Sequence, residues 1–251
     1  MSKLKDLILK IFGFKFLFFL GDPSSYDRWQ WLKLYLKRGN LRTLDAGCGS
    51  GAFTMYASSI GNNSIGISYD KRNNEVAIHR AKLFNIKNIE FITHDLRQLS
   101  SIKDRLGLFD QIICFETIEH IMDDKKLIAN LASLLKDKGC LILTTPYKHY
   151  IPLITDHISD VEDGDHVRWG YTHEEIKEIF NSYNIDLEIT DYISGFVPQQ
   201  IMNLQRILCQ VNWIFAWLFI FPLRVLQCFD KPLTKALNYP YMTIGVVGVK
   251  R

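Results

Sequence analysis

The stretch Leu44-Asp45-Ala46-Gly47-Cys48-Gly49-Ser50-Gly51 constrains what this chain can fold into more than any other. A basic turn (Lys37, Arg38, Gly39, Asn40) precedes it, and an apolar helical pattern (Ala52, Phe53, Met55, Tyr56, Ala57, Ile60) follows. That order puts a Gly-x-Gly-x-Gly loop where the first strand of an α/β sheet hands over to its first helix. Glycines there permit a tight turn and let a ligand lie almost against the backbone, because no Cβ intervenes. A carboxylate at the strand end, Asp45, favours a ligand carrying positive charge or donor groups over one carrying phosphates. The dinucleotide fingerprint is spaced Gly-x-Gly-x-x-Gly and the P-loop ends in Gly-Lys-Ser/Thr, so neither fits.

Downstream, apolar runs and helical patterns alternate. Strands are expected at Arg42–Asp45, Ser64–Ser68, Asn88–Thr93, Phe109–Phe115 and Cys140–Thr145, the last closed by Pro146. Helices are expected after the glycine loop to about Ile60, from Asn73 to Phe84, and from Asp123 to Leu135. The third ends in Lys136-Asp137-Lys138-Gly139, read as a basic last turn with a glycine stop. The near-continuous apolar character of Phe109–Phe115 suits a parallel strand covered on both faces. This alternation implies a doubly wound, Rossmann-like α/β sheet that binds its ligands at the strand C-terminal edge.

At 251 residues the chain accommodates one large α/β domain with appendages and is short for two. A net charge of only +3, spread along the chain, gives no case for nucleic acid. The five cysteines include no Cys-x-x-Cys pair, and Cys114 and Cys140 lie in apolar runs. Buried thiols in a reducing cytoplasm are expected, without disulfides or zinc.

The glycine loop combines with three later segments. These are Phe109-Asp110 with Glu116-Thr117-Ile118-Glu119-His120-Ile121, then Leu134 to Gly139, then His166-Val167-Arg168-Trp169-Gly170-Tyr171-Thr172 before an acidic helix (Glu174, Glu175, Glu178). Over roughly residues 40–195 the chain resembles the class I S-adenosylmethionine (SAM) methyltransferases, in the branch acting on small molecules. The resemblance implies a seven-stranded sheet whose last strand is antiparallel. It implies SAM as cofactor, with Asp45, Ala46, Gly47, Gly49 and Gly51 along its methionine and ribose part. Asp95 would accept a hydrogen bond from the adenine amino group, or else cap a helix. Leu96 would pack on the ring, and Phe115 and Glu116 would lie near the adenosine or methionine end. Family members usually place an acid directly after Gly-Ile at the end of strand two; here Gly66-Ile67 is followed by Ser68. The run resembles instead the Gly-Ile-Thr-Leu-Ser-x-x-Gln of tocopherol and cyclopropane-fatty-acid type methyltransferases. Ser68, Asp70 and Asn73 then share the ribose role, Asp70 foremost because a carboxylate accepts from two hydroxyls.

Methyl transfer from a sulfonium is an in-line displacement, and a base is needed only when the acceptor must lose a proton. His120, with Glu119 before it, is the candidate base; the alternative is a structural bond within its loop. His149, His157 and His166 lie in the irregular acidic segment Tyr147–Tyr171, which is well placed to border the acceptor. Their spacing matches no known ligand pattern, so no metal is expected. Arg168 and Tyr171 are expected to fix that segment to the sheet.

Strand six (Asp186–Tyr192) and strand seven (Met242–Val249) enclose an apolar helical insertion, residues 196–238. Within it, Val211 to Phe221 is apolar all round and ends at Pro222. It is shorter than the ~20 residues of a transmembrane helix. Aromatics with flanking bases suit an interfacial helix; a buried lid or a homodimer contact is the other reading. Residues 1–40 are expected to form an N-terminal helical cap and 41–251 the SAM-binding domain. Lys10 and Lys15 interrupt the first apolar stretch, so a retained helix, over the pocket or on a membrane, is preferred to a signal peptide. The function these features imply is methyl transfer to a small, lipophilic acceptor in the cytoplasm, with peripheral membrane contact. The alternative is a catalytically inactive SAM-binding scaffold acting through the insertion.

Overall fold

A computed structural model describes residues 3–154 and 156–251. Seven strands form one sheet: β1 Arg42–Ala46, β2 Asn63–Ser68, β3 Ile89–Thr93, β4 Phe109–Phe115, β5 Leu135–Pro146, β6 Ile185–Ile193 and β7 Thr243–Lys250. Their order is β3-β2-β1-β4-β5-β7-β6, with β7 antiparallel to both neighbours. The sheet runs outward from β1 in both directions, so β1 and β4 flank the switch point where crevices open in such sheets. Leu44 sits level with Ile65 of β2 and with Ile112 of β4.

Eleven α-helical segments accompany the sheet among the described residues: α1 Lys3–Phe12, α2 Leu17–Leu20, α3 Pro23–Tyr35, α4 Ala52–Ser59, α5 Lys71–Leu83, α6 Lys103–Leu106, α7 Asp124–Leu134, α8 His173–Asn181, α9 Phe196–Val211, α10 Trp213–Leu223 and α11 Asp230–Ala236. Successive side chains of a strand point to opposite faces, and β4 serves two cores in this way. Ile112 and Cys114 join one cluster with α7 and α8 residues such as Leu131 and Phe180. Ile113 and Phe115 join another with Trp29, Trp31 and Leu32 of α3 and Tyr56 of α4. Burial on both faces explains why the strand reads as continuously apolar. The N-terminal segment is thus part of the layer covering the sheet. Phe18 stacks on Trp29 at 4.7 Å, and Trp31 Nε1 and Tyr35 Oη both donate to Asp191 of β6, at 2.8 and 2.7 Å.

One local expectation is overturned. Helix α7 stops at Leu134, and Leu135–Gly139 belongs to β5 rather than to a basic last helical turn. Leu135 pairs with Phe109, and Lys136 Nζ donates to Asp110 Oδ1 at 2.7 Å. The chain then bulges, with Lys138 at φ +61°. A Cβ on Gly139 would lie 2.8 Å from the Lys136 carbonyl, so this glycine serves a strand bulge rather than a helix end. Cys48, Cys114 and Cys140 are buried free thiols, while Cys209 and Cys228 are exposed.

Candidate active site

The loops after β1 and β4 meet over the switch point and line a cavity of about 290 Å³. Gly47 N and Cys48 N both donate to Ile67 O of β2, at 3.0 and 2.9 Å, so these groups face the sheet and not a phosphate. Gly49 has φ +49°, and a Cβ built on it meets no atom within 4 Å. It borders the cavity, so a side chain there would enter the space a ligand needs. At Gly47 a Cβ would sit 2.2 Å from Thr117 Oγ1, which lets the β4 loop close up on the β1 loop. Gly51 serves packing instead: it caps α4 at φ +79°, and a Cβ would fall 2.7 Å from the Phe91 ring.

Of the residues anticipated for cofactor and catalysis, Gly47, Gly49, Ser68, Asn73, Asp95, Leu96, Glu116 and His120 line the cavity. Asp45, Ala46, Gly51, Asp70, Phe115 and Glu119 stand behind it. Asp45 is buried and accepts from Thr54 Oγ1 at 2.6 Å. Burial pushes its carboxyl up to about 7. Asp70 caps α5, accepting from Arg72 N at 2.8 Å. Ala46 is core, and the Phe115 ring packs edge-on to Phe53 at 4.9 Å.

Asp95 lines the cavity and caps the 3-10 turn Leu96–Ile102, accepting from Arg97 N at 2.9 Å. Arg97 also grips the carboxylate through Nε at 2.9 and 2.8 Å, and these bonds hold Asp95 below its usual range. The same guanidinium donates to Glu162 Oε2 at 2.6 Å, and Glu162 Oε1 accepts from Met122 N at 2.6 Å. The acidic loop 147–171 thereby lays Glu162, Asp163 and Gly164 against the cavity. Its far end is fastened by Arg168 and Tyr171, which bond Asp124 at the start of α7, and by Arg168 on the carbonyls of Ile121 and Met122.

Glu116 adopts φ +45°, uncommon for a side-chain-bearing residue and an enrichment of functional loops. Its Oε1 accepts from Thr144 Oγ1 at 2.9 Å and its Oε2 faces Arg28 Nη1 at 3.1 Å. His120 Nδ1 lies 3.0 Å from the Asp165 carbonyl. A carbonyl only accepts, so Nδ1 carries the proton and the neutral ring keeps its lone pair on Nε2. That Nε2 stands 3.9 Å from Glu119 Oε1. Glu119 is fully buried; burial, with Glu116 nearby, raises its carboxyl well above the usual range. Glu119 Oε2 accepts from Thr145 Oγ1 at 3.3 Å, whereas Oε1 has no hydrogen-bond partner among the described residues.

His166 packs edge-on to His120 at 4.8 Å, and burial, with His120 beside it, lowers its pKa. Glu119, His120 and His166 each offer one donor atom within 4.8 Å of the others, a set able to hold a divalent cation or an ordered water. The three loop histidines do not converge as a group. His157 faces Asp165 at 2.8 Å, and His149 stacks edge-on to Tyr147 at 5.3 Å.

Arg28, Tyr69 and Arg97 were not legible as site residues, and Thr117 and Glu162 were legible only as members of the segments after β4 and β5. Tyr69 and Arg97 each adjoin an anticipated residue, and that adjacency was the only available signal. Arg28 and Glu162 reach the site from distant parts of the chain.

A family model described as a methyltransferase domain matches residues 17–188. The chain belongs to that family. Its sheet order and antiparallel β7 are those of the class I SAM-dependent methyltransferase fold. This methyltransferase-family chain is 35% identical over 105 residues to the ubiquinone biosynthesis O-methyltransferase of Rickettsia akari (strain Hartford), covering 42% of this chain and 40% of that protein. It is 26% identical over 168 residues to the enzyme of the same name from Rickettsia canadensis (strain McKiel), covering 67% and 56%. The chain therefore spans about half the length of the curated relatives it matches. Among solved structures, it is similar to magnesium protoporphyrin IX methyltransferase from Synechocystis PCC 6803 with bound SAM. The TM-score is 0.52 at 18% identity, covering 91% of this chain and 78% of that one.

Proposed function

We propose that this methyltransferase-family chain moves the methyl group of SAM onto a hydroxyl oxygen of a small, lipophilic acceptor. The observation that carries the reading is the pairing of a side-chain-free wall at Gly49 with the basic nitrogen of His120 on one cavity. Bound SAM supplies an electrophilic methyl whose leaving group, a neutral thioether, needs no acid. Gly49 leaves room for the cofactor against the loop backbone. Asp95, held ionised by Arg97, accepts from an exocyclic amine, and the apolar Leu96 lies against a base. Ser68 and Asn73, with Tyr69 between them, offer polar groups to ribose hydroxyls. Asp70 contributes by fixing the start of α5.

His120 acts as the base. Its Nδ1–H is anchored on the Asp165 carbonyl, so Nε2 can take the hydroxyl proton as the oxygen attacks. Glu119, whose carboxyl burial raises well above its usual range, lies 3.9 Å from Nε2. The name shared by the two relatives supports oxygen as the accepting atom. The ubiquinone named for both relatives supports a lipophilic acceptor. Five free thiols, three of them buried, fit a cytoplasmic setting.

Labelled SAM incubated with the chain and with lipid or aqueous cell extracts tests the reading. Label is expected in alkali-stable ethers of the lipid fraction. His120→Ala should bind SAM with unchanged affinity and lose about 10²-fold or more in transfer rate. Label confined to the aqueous fraction overturns the lipophilic acceptor. An unaltered His120→Ala rate removes the base. SAM binding with no transfer to any fraction favours the scaffold.

A further inference from the structure

From Tyr192 to the last residue, the chain carries the bases Arg206, Arg224, Lys231, Lys235, Lys250 and Arg251, but Asp230 as its only acid. Asp230 is buried, accepting from Gly195 N and Val197 N at 2.8 and 2.9 Å. Arg206 pairs with Asp156, Arg251 with Asp186, Lys250 donates to Leu135 O and Arg224 is buried, so the exposed cations beside the apolar helices of this region are Lys231 and Lys235. Its centre is α10, Trp213-Ile-Phe-Ala-Trp-Leu-Phe-Ile-Phe-Pro-Leu223, started by Asn212, whose side chain accepts from Ile214 N and Phe215 N.

At 100° per residue, Trp213, Ile214, Leu218, Phe215 and Phe219 spread over an arc of about 240°. Each is between 49% and 61% exposed. Ala216 and Ile220 fill the remaining sector and are buried, Ile220 against Val197 and Ile201 of α9. So wide an exposed apolar arc, rich in aromatic rings, suits immersion among acyl chains and headgroups.

A second apolar element is continuous with it. The rings of Phe12 and Phe16 stack at 4.7 Å, Phe16 meets Phe221 at 5.9 Å, and Phe221 meets Trp217 at 5.2 Å. This aromatic run connects α10 to α1, where Leu7, Ile11 and Phe12 are exposed. Lys10 lies within about 100° of Leu7 and Ile11 around that helix. Lys10, Lys15, Lys231 and Lys235 are all exposed. Arg224, just after α10, donates to the carbonyls of Phe19 in α2 and of Gly21 and Asp22 before α3, tying the end of α10 to the N-terminal segment.

We infer that α1 and α10 form one docking surface for an anionic lipid bilayer, with α10 lying in the plane of the interface. The residues Trp213–Ala236 are long and apolar enough to cross a membrane by length and composition alone. Their anchoring argues for lying flat. The 11 residues of α10 span about 16 Å, half of a ~30 Å hydrocarbon core. Beyond Pro222 the chain is pinned to the body by Arg224, by Gln227 on Asp27 and Pro23 O, and by Thr234 on Phe196 N. An apolar helix rimmed by lysines at the headgroup level is the interfacial arrangement. The surface goes beyond the acceptor reading and stands whether or not methyl transfer to oxygen is correct.

Flotation of the full chain with vesicles of phosphatidylglycerol and phosphatidylcholine, against phosphatidylcholine alone, tests it. The chain is expected to float with the anionic vesicles, less with neutral ones, and with a blue-shifted tryptophan emission quenched by brominated acyl chains. The double variant Phe215→Ser/Phe219→Ser should lower partitioning about tenfold or more, with SAM affinity and thermal midpoint as folding controls. Should that variant misfold, Lys10→Glu/Lys15→Glu is expected to lower binding to anionic vesicles alone. A wild-type chain that stays at the bottom of every gradient overturns the inference. So does a chain that forms dimers burying Phe215 and Phe219 instead of floating, which assigns the surface to a second copy. Equal flotation of wild type and both variants overturns the role of α1 and α10. SAM affinity measured in the same samples separates any of these outcomes from a failure of the methyltransferase reading.

Discussion

Arg28 of α3 sets its Nη1 3.1 Å from Glu116 Oε2, joining the N-terminal segment to the loop after β4. The guanidinium is buried, and the carboxylates of Glu116 and Asp22 outweigh that burial to raise its pKa. Removing one partner of such a pair leaves the other charge without compensation. Arg28→Ala is expected to cost ~3 kcal/mol in denaturant unfolding, and Arg28→Met/Glu116→Gln markedly less. Equal losses in both variants would mean that packing, not the ion pair, carries the effect.

The three loop glycines should respond differently to substitution. Gly49→Ala adds a Cβ to open space at φ +49°, so only backbone strain is incurred, ~1 kcal/mol. Gly49→Arg fills the cavity and should abolish SAM binding while the thermal midpoint stays near wild type. Gly51→Ala drives a methyl into Phe91 and Ala77 and should lower the midpoint instead. Calorimetry beside thermal melts separates the two classes. Unchanged SAM affinity in Gly49→Arg would remove the cofactor assignment at this loop.

Stability should fall as pH rises through the range below 7. Burial pushes Asp27 and Asp45 up to about 7 each, above their ordinary 3.8, and raises Glu119 in the same sense. The folded chain then binds protons that the unfolded chain has released. Their contribution is fully present below about pH 4, fades upward from there, and is gone above the folded pKa. Asp95 and Glu162 act oppositely, since both are lowered: their contribution is lost as pH falls below their ordinary values. Asp27→Asn keeps one acceptor oxygen for Gln227 Nε2 and turns an NH2 donor toward the Ser194 hydroxyl, which can accept, so it should flatten the fall between pH 5 and 7.5. Urea midpoints across that range check this; a slope identical to wild type would show Asp27 ionised throughout.

Arg97 bridges Asp95 on the cavity floor to Glu162 in the loop above it. Arg97→Ala should weaken SAM binding several-fold, chiefly through faster release, and make loop 147–171 more susceptible to proteolysis. Raised salt should mimic part of the effect, because the pair is substantially exposed. Protection of the loop unchanged in Arg97→Ala would show it is held by Arg168 and Tyr171 alone.

Much of this molecule was legible in its residues. The strand–glycine loop–helix order, the apolar runs and their spacing fixed a doubly wound sheet, because backbone geometry and burial periodicity are local properties. The cavity-facing roles of Gly49, Asp95 and His120 followed from their position at strand ends. The basic run Lys136–Gly139 misled, since its helical and strand meanings differ only through the pairing of Leu135 with Phe109. Asp45 Oδ2 accepts from Thr54 and Asp70 Oδ1 from Arg72 at the start of α5, bonds that no local pattern announces.

The chain's own order of residues determined the sheet, the switch-point crevice and the glycine-lined wall. Tertiary structure alone decided that Arg28 reaches Glu116, that Glu162 closes on Arg97, that His166 rather than His149 or His157 joins His120, and that α10 keeps its apolar arc exposed. The physical reason is range. Strand and turn preferences act over a few residues, whereas a charge pair or a buried face depends on which distant segment packing brings alongside.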